Sequence, residues 1–352
     1  MRVLITGETL HGPTTGVQRA TIELANAIAA RGDVDLSVLL SSENDGVALD
    51  PAIHRIVRRI RITAGIVPGH SVPHRLLSGF DVVHCPTARV PFLRKPDTRT
   101  IITIHDLVPL AAPQTHQLTY RLYFRTVLPR ALQRFDHIVA SSESTRNDLQ
   151  KFYEIDRSRI SVVLLACGWR PLEALEVVRE KEPFFLWVGT LEPRKNLQRT
   201  IDAFAAYRSR SHAQERLLVV GARGWGRSRI SLPEGVEVLG YVDDPTLRSL
   251  FRRAKALVYP SLYEGFGFPV LEAMTQGCPV IASRSSSLPE VAGDAAIYCD
   301  PLDATSIAGA MARVSDPELR ERMIEKGLSR AAGFSWQRTA AEMVAIYRGA
   351  SR

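Results

Sequence analysis

Two carboxylates separated by seven residues enclose two glycines and a proline in the sequence Glu264-Gly-Phe-Gly-Phe-Pro-Val-Leu-Glu272. An apolar, strand-like run precedes them. Proline is favoured at the first helical position because its missing N–H would be unpaired there anyway, so Pro269 predicts a helix that begins near Phe268. Glu264 then lies before this helix, and Glu272 lies in its first turn.

The N-terminus of this predicted helix is a candidate phosphate site. Its free amides, at about residues 267–271, and the positive pole of its dipole favour an anion. A carboxylate beside a phosphate would repel it, so both glutamates fit such a site only as acceptors for the hydroxyls of a sugar and a ribose. The alternative is structural: Glu272 stabilises a helix N-terminus and Glu264 is a solvated loop residue.

Length and composition predict a soluble enzyme of two domains. The 352 residues exceed the range of about 250–300 in which a single core stops growing. Hydrophobic residues make up 45% and charged residues 23%, as in ordinary globular proteins. We find no signal-peptide pattern and no run long enough to span a bilayer, and the four cysteines lack metal or redox spacing. These features favour the cytoplasm.

A net charge of +8 indicates an anionic partner. Three basic clusters lie in the first half: Arg55, Arg58, Arg59 and Arg61; Arg89, Arg94, Lys95 and Arg99; and Arg121, Arg125, Arg130 and Arg134. Nucleic acid is not favoured, because no binding motif or aromatic stacking platform accompanies them. Peripheral contact with an anionic membrane at its inner face and a plain solvated surface both stay open.

The hydrophobic pattern alternates between strand-like and helix-like runs, which predicts an α/β fold with mostly parallel sheets. Strands are predicted at 2–6, 34–40, 81–84, 100–105, 137–141, 160–165, 184–188, 217–220, 236–239, 256–259, 279–282 and 295–298. Helices are predicted at 16–31, 117–134, 144–153 and from Asn196, as its cap, to about 208. A charge-rich stretch at 168–182 interrupts the alternation, so we expect domains at 1–170 and 171–333 and a terminal helix in 334–352.

Further polar residues follow predicted strands, where open α/β sheets bind ligands. His105 follows one strand, Arg194 and Lys195 follow another, and Gly16 begins the first helix after a glycine-containing loop. Arg194 and Lys195 would meet a diphosphate with two positive charges. For each residue the alternative is a packed histidine, a solvated charge or an ordinary loop glycine.

Several nucleotide-binding motifs are missing from the sequence. The first glycine-rich loop lacks the spacing of a dinucleotide fingerprint, and no Walker A sequence is present. No Asp-x-Asp pair offers a bridge between a metal and a diphosphate. We therefore expect protein groups alone to neutralise the phosphates, without a metal or other cofactor.

Taken together, the motifs resemble those of the retaining GT-B glycosyltransferases of family 4, nearest to the mannosyltransferase-like branch of polysaccharide and O-antigen assembly. The resemblance rests on the 264–272 segment together with Thr15-Gly-Val-Gln-Arg, His105-Asp-Leu-Val-Pro, Val188-Gly-Thr-Leu-Glu-Pro-Arg-Lys-Asn, Leu239-Gly-Tyr-Val-Asp-Asp and Leu288-Pro-Glu-Val. It spans nearly the whole chain. It implies two Rossmann-like domains facing a central cleft, the first for the acceptor and the second for the donor, with the terminal helix crossing back to the first.

The resemblance also implies roles for individual residues. The implied catalytic residues are His105, Arg194, Lys195 and Glu264; the implied donor-binding residues are Gly16, Thr190, Tyr241, Val242, Asp244, Gly265, Phe266, Gly267, Phe268 and Glu272. Glu264 would bind sugar hydroxyls, Glu272 the ribose and Lys195 the diphosphate. One position departs from the family pattern: many relatives carry an arginine where this chain has Thr190, and Arg194 would substitute for it.

The expected activity is transfer of a hexose from a nucleoside diphosphate sugar to a glycan or lipid-linked glycan, with retained anomeric configuration and without a metal. By the same resemblance, the expected donor is GDP-mannose, which supplies mannose, and UDP-linked and other activated hexoses are the next candidates. Two alternatives are a nucleotide-sugar epimerase of the same architecture and a non-catalytic nucleotide-binding assembly protein. Sugar analysis after incubation with donor alone distinguishes an epimerase from a transferase. Donor binding without transfer favours the assembly protein.

Overall fold

The computed structural model of the protein describes residues 1–7, 10, 15–40, 47–57, 77, 79–88, 98–211, 214–222, 224 and 232–349. Its contacts divide the chain into unit 1, Met1–Gly168 with Ser335–Arg352, and unit 2, Trp169–Phe334. Six members of the basic clusters lie outside the described residues: Arg58, Arg59, Arg61, Arg89, Arg94 and Lys95. The loop at 11–14 also lies outside them.

Unit 1 contains a parallel sheet with the strand order β3-β2-β1-β4-β5-β6-β7. Its strands are β1 (Arg2–Thr6), β2 (Asp35–Leu40), β3 (His54–Val57), β4 (Val82–Cys85), β5 (Arg99–Ile104), β6 (His137–Ala140) and β7 (Ile160–Val162). The helices between them are α1 (Gly16–Ala29), α2 (Val108–Ala111), α3 (Leu118–Thr126), α4 (Leu128–Leu132) and α5 (Glu143–Tyr153), with 3₁₀ turns at Pro113–Thr115 and Arg157–Arg159.

Unit 2 contains a second parallel sheet, with the strand order β10-β9-β8-β11-β12-β13. Its strands are β8 (Phe184–Val188), β9 (Arg216–Val220), β10 (Val236–Gly240), β11 (Ala256–Tyr259), β12 (Val280–Ser283) and β13 (Ala296–Cys299). Its helices are α6 (Leu197–Ser211), α7 (Asp244–Arg253), α8 (Phe268–Thr275), α9 (Leu288–Ala292), α10 (Ala304–Arg313) and α11 (Pro317–Ala332), with 3₁₀ turns at Ala174–Glu176 and Pro193–Lys195.

The sequence produces these sheets because the central strands are short apolar runs that can be buried on both faces. All residues of β8 and β11 are buried, as the helix-covered strands of a parallel sheet require. The predicted α/β class with two mostly parallel sheets is confirmed. The described residues contain no helix that is both long and apolar enough to cross a membrane.

The last helix, α12 (Trp336–Tyr347), belongs to unit 1 and packs against α1. The hydroxyl of Thr339 donates to the carbonyl of Leu164 at 2.8 Å, and Arg348 pairs with Asp33 at 2.8 Å. The chain therefore completes unit 2 and then returns to unit 1, which confirms the predicted course of the terminal helix.

Two elements differ from the sequence-based prediction. The single helix expected over 117–134 is two helices, because a helix continuous through Pro129 would need an N–H that proline lacks. Strand β3 was not predicted: its pattern is exposed to half-buried, and we had assigned Arg55 only to a basic cluster. Arg55 lies on this edge strand, where charged residues discourage pairing with another sheet.

Candidate active site

Several of the site residues predicted in unit 2 follow strands of the same parallel sheet. Thr190, Arg194 and Lys195 follow β8, residues 241–244 follow β10, and Glu264 follows β11. Since all strands of this sheet run in one direction, their carboxyl ends lie along one edge. Open α/β sheets bind ligands at this edge, so the topology supports the location predicted for the donor site.

The carboxylate of Glu264 is the centre of a buried ion cluster. Its Oε1 accepts from Lys195 Nζ at 2.8 Å, from the Tyr259 hydroxyl at 2.8 Å and from the Ser261 hydroxyl at 2.6 Å. Its Oε2 accepts from Arg194 Nη1 at 2.6 Å. A second carboxylate, that of Glu192, accepts from Arg194 Nη2. Two cations and two carboxylates thus lie together at the carboxyl edge of the sheet.

The ionisation of this cluster follows from its burial and its charges. Burial alone would raise the pKa of Glu264, but Arg194, Lys195 and the hydrogen bonds to its carboxylate lower that pKa to about 2. Burial lowers the pKa of Lys195, while Glu264 acts in the opposite direction. Burial and the Glu264 charge raise the pKa of Tyr259 well above its ordinary value. At neutral pH Glu264 is therefore ionised, while Tyr259 remains protonated and donates to it.

Sequence analysis assigned no role to three members of this cluster, Glu192, Tyr259 and Ser261. Tyr259 is the last residue of β11, and its hydroxyl accepts from Lys195 while donating to Glu264. Ser261 follows two residues later. A signal was available, because a polar tip at the carboxyl end of a parallel strand points to the edge that binds ligands. We had assigned Tyr259 only to an apolar strand.

The loop after Glu264 is fixed by a glycine and two serines. Gly267 has a φ of 108°, and a Cβ there would lie 2.7 Å from the Leu288 side chain, so only glycine fits without strain. Ser286 accepts from the Glu264 amide at 2.7 Å, and the Ser287 hydroxyl donates to the Glu264 carbonyl at 3.0 Å. Gly265 and Phe266 are buried within this loop. The loop thus holds the Glu264 backbone in place.

Helix α8 begins at Phe268, as the sequence predicted, with Gly267 as its N-cap. The position expected for Glu272 was wrong. Glu272 is the fifth residue of α8 and lies beyond the first turn, which contains no acidic residue. Its side chain is buried. Capping of the helix N-terminus by Glu272 is therefore not its role.

A tight backbone contact fixes the segment that carries Arg194 and Lys195. The two lie in a 3₁₀ turn after β8, and a Cβ on Gly221 would lie 1.9 Å from the Gly189 carbonyl. Asn196 follows in a left-handed conformation, with its amide donating to the carbonyls of Pro260 and Pro301. Asn196 thus directly precedes α6, where it was predicted, with its carbonyl accepting from the Thr200 amide at 3.2 Å, and its side chain also joins the ends of three strands.

The remaining predicted residues of unit 2 lie on its surface. Thr190 is exposed after β8. Tyr241 is exposed and Val242 half-buried in the turn after β10, and the half-buried Asp244 begins α7. The cap of α7 is Asp243, whose carboxylate accepts from the Thr246 amide at 3.0 Å. This turn, which carries the exposed ring of Tyr241, lies on the same edge of the sheet as Glu264.

In unit 1, Gly16 and His105 are placed by different elements. Gly16 is the exposed first residue of α1, next to a capping box between Thr15 and Gln18. His105 follows β5 and is half-buried, with Nε2 3.0 Å from the Pro86 carbonyl. Burial lowers the pKa of His105, although Asp106 and the Pro86 carbonyl act in the opposite direction.

Behind His105 lies a second buried network that the sequence did not predict. The Nδ1 of His84 lies 2.8 Å from the hydroxyl of Tyr347 on α12, and its Nε2 lies 2.8 Å from Thr103 Oγ1. Burial, with a smaller effect of His105, lowers the pKa of His84 to about 3. His84 and His105 line the same small cavity. His84 is thus neutral and links the last helix to the strand that ends before His105.

In comparison with known proteins, each half of the chain matches a glycosyltransferase family model. Residues 14–165 match the model of the family described as glycosyltransferase family 4, and residues 173–330 match that of glycosyl transferases group 1. The fold resembles that of a sucrose-phosphate synthase from Thermosynechococcus elongatus, with a TM-score of 0.77 at 19% identity over 99% of this chain and 98% of that one. The architecture is therefore that of a GT-B glycosyltransferase.

The protein belongs to the glycosyltransferases, with a family 4 domain followed by a group 1 domain, and is a transferase enzyme. It is 27% identical to the O-antigen chain mannosyltransferase B of Escherichia coli, over 99% of this chain and 100% of that protein. It is 30% identical to the O-antigen chain mannosyltransferase RfbU of Salmonella typhimurium, over 64% of this chain and 62% of that protein.

Proposed function

We propose that this glycosyltransferase moves a hexose from a nucleoside diphosphate sugar to a glycan hydroxyl with retention of the anomeric configuration. The observation that carries the proposal is the buried cluster of Arg194, Lys195 and Glu264 at the carboxyl edge of the second sheet. Two cations suit the diphosphate, and an ionised carboxylate suits sugar hydroxyls. The glycine-capped N-terminus of α8 adds amides that favour phosphate.

The charges of the cluster support diphosphate neutralisation by protein groups, without a bound metal. Arg194 and Lys195 each have a buried carboxylate partner, so both cations are already positioned before a substrate arrives. Fixed positive charge in a dry site stabilises a developing anion strongly. We propose that both cations stabilise the leaving diphosphate. Full activity in the presence of a chelator is the expected result, and a strict metal requirement would contradict it.

Glu264 supports a link between phosphate and sugar recognition. A carboxylate offers about four lone-pair positions, and Glu264 accepts four hydrogen bonds from side chains. A sugar hydroxyl therefore needs one donor to leave. We propose that the diphosphate draws Lys195 Nζ towards itself and frees one lone pair of Glu264 for a hydroxyl of the donor sugar.

The remaining roles in the proposal rest on the motifs. Glu272 binds the ribose, and Tyr241, Val242 and Asp244 border the base. The backbone around Gly265, Phe266, Gly267 and Phe268 contacts sugar and phosphate, and Gly16 and Thr190 line the diphosphate. His105 contacts the donor sugar. Burial lowers the pKa of His105, which supports a neutral imidazole there that can accept or donate a hydrogen bond without adding charge.

We propose a single displacement on one face of the sugar. The bond from the anomeric carbon to the diphosphate oxygen breaks, and its electron pair leaves with the diphosphate. The acceptor hydroxyl forms the new bond on the same face and gives its proton to the leaving phosphate oxygen. Arg194 and Lys195 lower the barrier by stabilising the charge that the diphosphate gains.

Mannose from GDP-mannose is our choice of donor, and the two O-antigen chain mannosyltransferases that this chain resembles support that choice. For the acceptor we propose a glycan or lipid-linked glycan in polysaccharide assembly. The three arginine-rich clusters in the first half of the chain support peripheral contact with an anionic membrane.

Binding and transfer are tested together. GDP should raise the unfolding temperature more than UDP does, because ligand that binds only the folded state stabilises it. With GDP-mannose and an acceptor, Lys195→Ala and Glu264→Gln should abolish transfer, whereas Lys326→Ala and Glu318→Ala, which alter exposed ion pairs of unit 2, should retain it. Near-normal turnover by folded Lys195→Ala or Glu264→Gln would overturn the assignments.

A further inference from the structure

Helix α3 presents two leucines and two arginines on one face. Residues three and four positions apart are neighbours on a helix surface, so Leu118, Arg121, Leu122 and Arg125 lie together. Leu118 is 64% exposed and Leu122 is 45% exposed, while Phe124 is buried. We name these four residues the Leu–Arg face. The two leucines of this face are exposed apolar surface, because Tyr123 and Phe124 are the residues of α3 that are buried in the core.

The charge around this face has one sign. From Leu107 to Phe135 the sequence contains no aspartate or glutamate, but it contains Arg121, Arg125, Arg130 and Arg134. Among the described ion pairs, none includes any of these four arginines. Within the described chain, these arginines are therefore not held in ion pairs by neighbouring carboxylates.

A groove of about 520 Å³ borders the arginine side of the face. Arg121 and Arg125 line it, together with apolar residues that include Pro113 and Phe152 and with one carboxylate, that of Glu154. Guanidinium groups beside an apolar wall suit a ligand that is both anionic and amphipathic. A phospholipid headgroup with the start of its acyl chains has this composition.

We propose that the Leu–Arg face docks unit 1 on the surface of an anionic phospholipid bilayer. Leu118 and Leu122 enter the boundary between headgroups and acyl chains, while Arg121 and Arg125 bind lipid phosphates and Arg130 adds attraction. Nucleic acid would match the arginines but leave the leucines in water. The inference deepens the membrane contact of the proposed function by assigning its surface and its partner, and it does not depend on the donor site.

The test is co-sedimentation of the full chain with vesicles of phosphatidylcholine alone or mixed with phosphatidylglycerol. We expect binding only to the mixed vesicles, weakened by salt because the attraction is electrostatic. Arg121→Gln with Arg125→Gln should weaken binding roughly 25-fold, from about fivefold for each arginine near an anionic surface. Leu118→Ser with Leu122→Ser should weaken it by about tenfold or more, since apolar side chains no longer enter the lipid.

Matched controls separate this face from bulk charge and bulk hydrophobicity. Arg322→Gln with Arg338→Gln makes the same change in net charge at exposed positions elsewhere, and Leu175→Ser with Leu302→Ser removes two other exposed leucines. Both control proteins should bind vesicles as the unaltered protein does. Equal losses for control and face variants would overturn the proposal.

Other outcomes identify other occupants of the face. If mixed vesicles do not bind the unaltered protein, or if the leucine variant only converts a dimer to a monomer, the bilayer is not the partner. Stabilisation of every variant by GDP is measured in the same samples. Lost vesicle binding with intact stabilisation places the defect in the Leu–Arg face, whereas absent stabilisation in all proteins contradicts only the proposed donor site.

Discussion

The two units stabilise the carboxyl edges of their sheets with opposite kinds of buried polar group. In unit 1, the neutral imidazole of His84 bridges Tyr347 and Thr103. In unit 2, the ionised carboxylate of Glu264 is bound by Arg194 and Lys195. Both networks lie near residues to which we assign substrate contacts, although one contains no formal charge and the other contains several.

The difference shows how burial and function are reconciled in each unit. A buried neutral network needs only satisfied hydrogen bonds, and it fails when a proton adds charge. A buried ionic network must keep every partner, because one missing charge leaves the others unpaired in a low dielectric. Unit 1 should therefore be sensitive to acid, and unit 2 should be sensitive to the loss of a single charged side chain.

The largest expected effect is the loss of the central carboxylate of unit 2. Glu264→Ala leaves Arg194 and Lys195 without this partner and should destabilise unit 2 by about 3–5 kcal/mol. Urea unfolding of single-tryptophan variants measures it, with Trp187 reporting unit 2 and Trp336 reporting unit 1. The control Glu182→Ala breaks a partly exposed pair with Arg253 and should have a much smaller effect. Equal effects of the two variants would contradict the comparison.

The second effect is acid destabilisation of unit 1. The unfolded chain protonates His84 below its ordinary pKa of 6.5, whereas the folded unit does so only near pH 3. The stability of unit 1 should therefore fall from pH 6.5 downwards, by about 2 kcal/mol at pH 5. Burial also lowers the pKa of His105 and His137, which acts in the same direction.

Unit 2 should respond to acid later than unit 1. The pKa of Glu264 is lowered from 4.5 to about 2, so its contribution is complete above pH 4.5 and is lost as the pH falls towards 2. Urea unfolding at pH 7, 6 and 5 with the same two tryptophan reporters measures both. A steeper fall in the stability of unit 2 over this range would reverse the assignment.

A third, smaller effect is the loss of one hydroxyl from unit 1. Tyr347→Phe keeps the ring near His84 but removes the partner of Nδ1, and should destabilise unit 1 by about 1–2 kcal/mol. Tyr298→Phe is the matched change in unit 2, where the hydroxyl donates to the Gly293 carbonyl at 2.6 Å. Each variant should shift the urea transition of its own unit. A shift of the unit 2 transition by Tyr347→Phe would show that the network does not act within unit 1.

The smallest expected effect concerns the entrance to α12. The Ser335 hydroxyl accepts from the Arg338 amide at 3.2 Å, so Ser335→Ala should cost about 1 kcal/mol, whereas Ser335→Asp should retain the cap. Hydrogen exchange of peptides from 336–347 measures the change. Unchanged protection in the alanine variant would mean that α12 is fixed by packing alone.

Local patterns in the sequence predicted most elements of the fold. Pro269 located the start of α8, and the apolar runs located β1, β8 and β11 because strands buried on both faces are continuously apolar. The edge strand β3 was not predicted because its residues are not consistently apolar. The break at Val127 was missed because the helical pattern of 117–134 continues past it, and the pattern does not show that Pro129 lies in the first turn of a new helix, where proline is tolerated.

The candidate site was predicted only as a set of separate charges. Lys195 and Glu264 were identified from motifs, but their direct contact joins residues 69 positions apart and depends on strand order. Tyr259 and Ser261 lie only five and three residues before Glu264, and they were missed because the run was interpreted as a buried strand without regard to the hydroxyls at its carboxyl end. His84 was missed for a different reason, since its partner lies on the last helix, 263 residues away.

The return of the chain to unit 1 has a consequence for biosynthesis. His84 and Tyr347 are 263 residues apart, so at about 5–20 residues per second a ribosome makes the second partner roughly 13 to 50 seconds after the first. Unit 2 is synthesised entirely within that interval. The unit whose synthesis begins first is therefore completed last. Until α12 is made, the α1 surface that it covers and the imidazole of His84 lack their native contacts. Such transiently exposed surface is what chaperones bind.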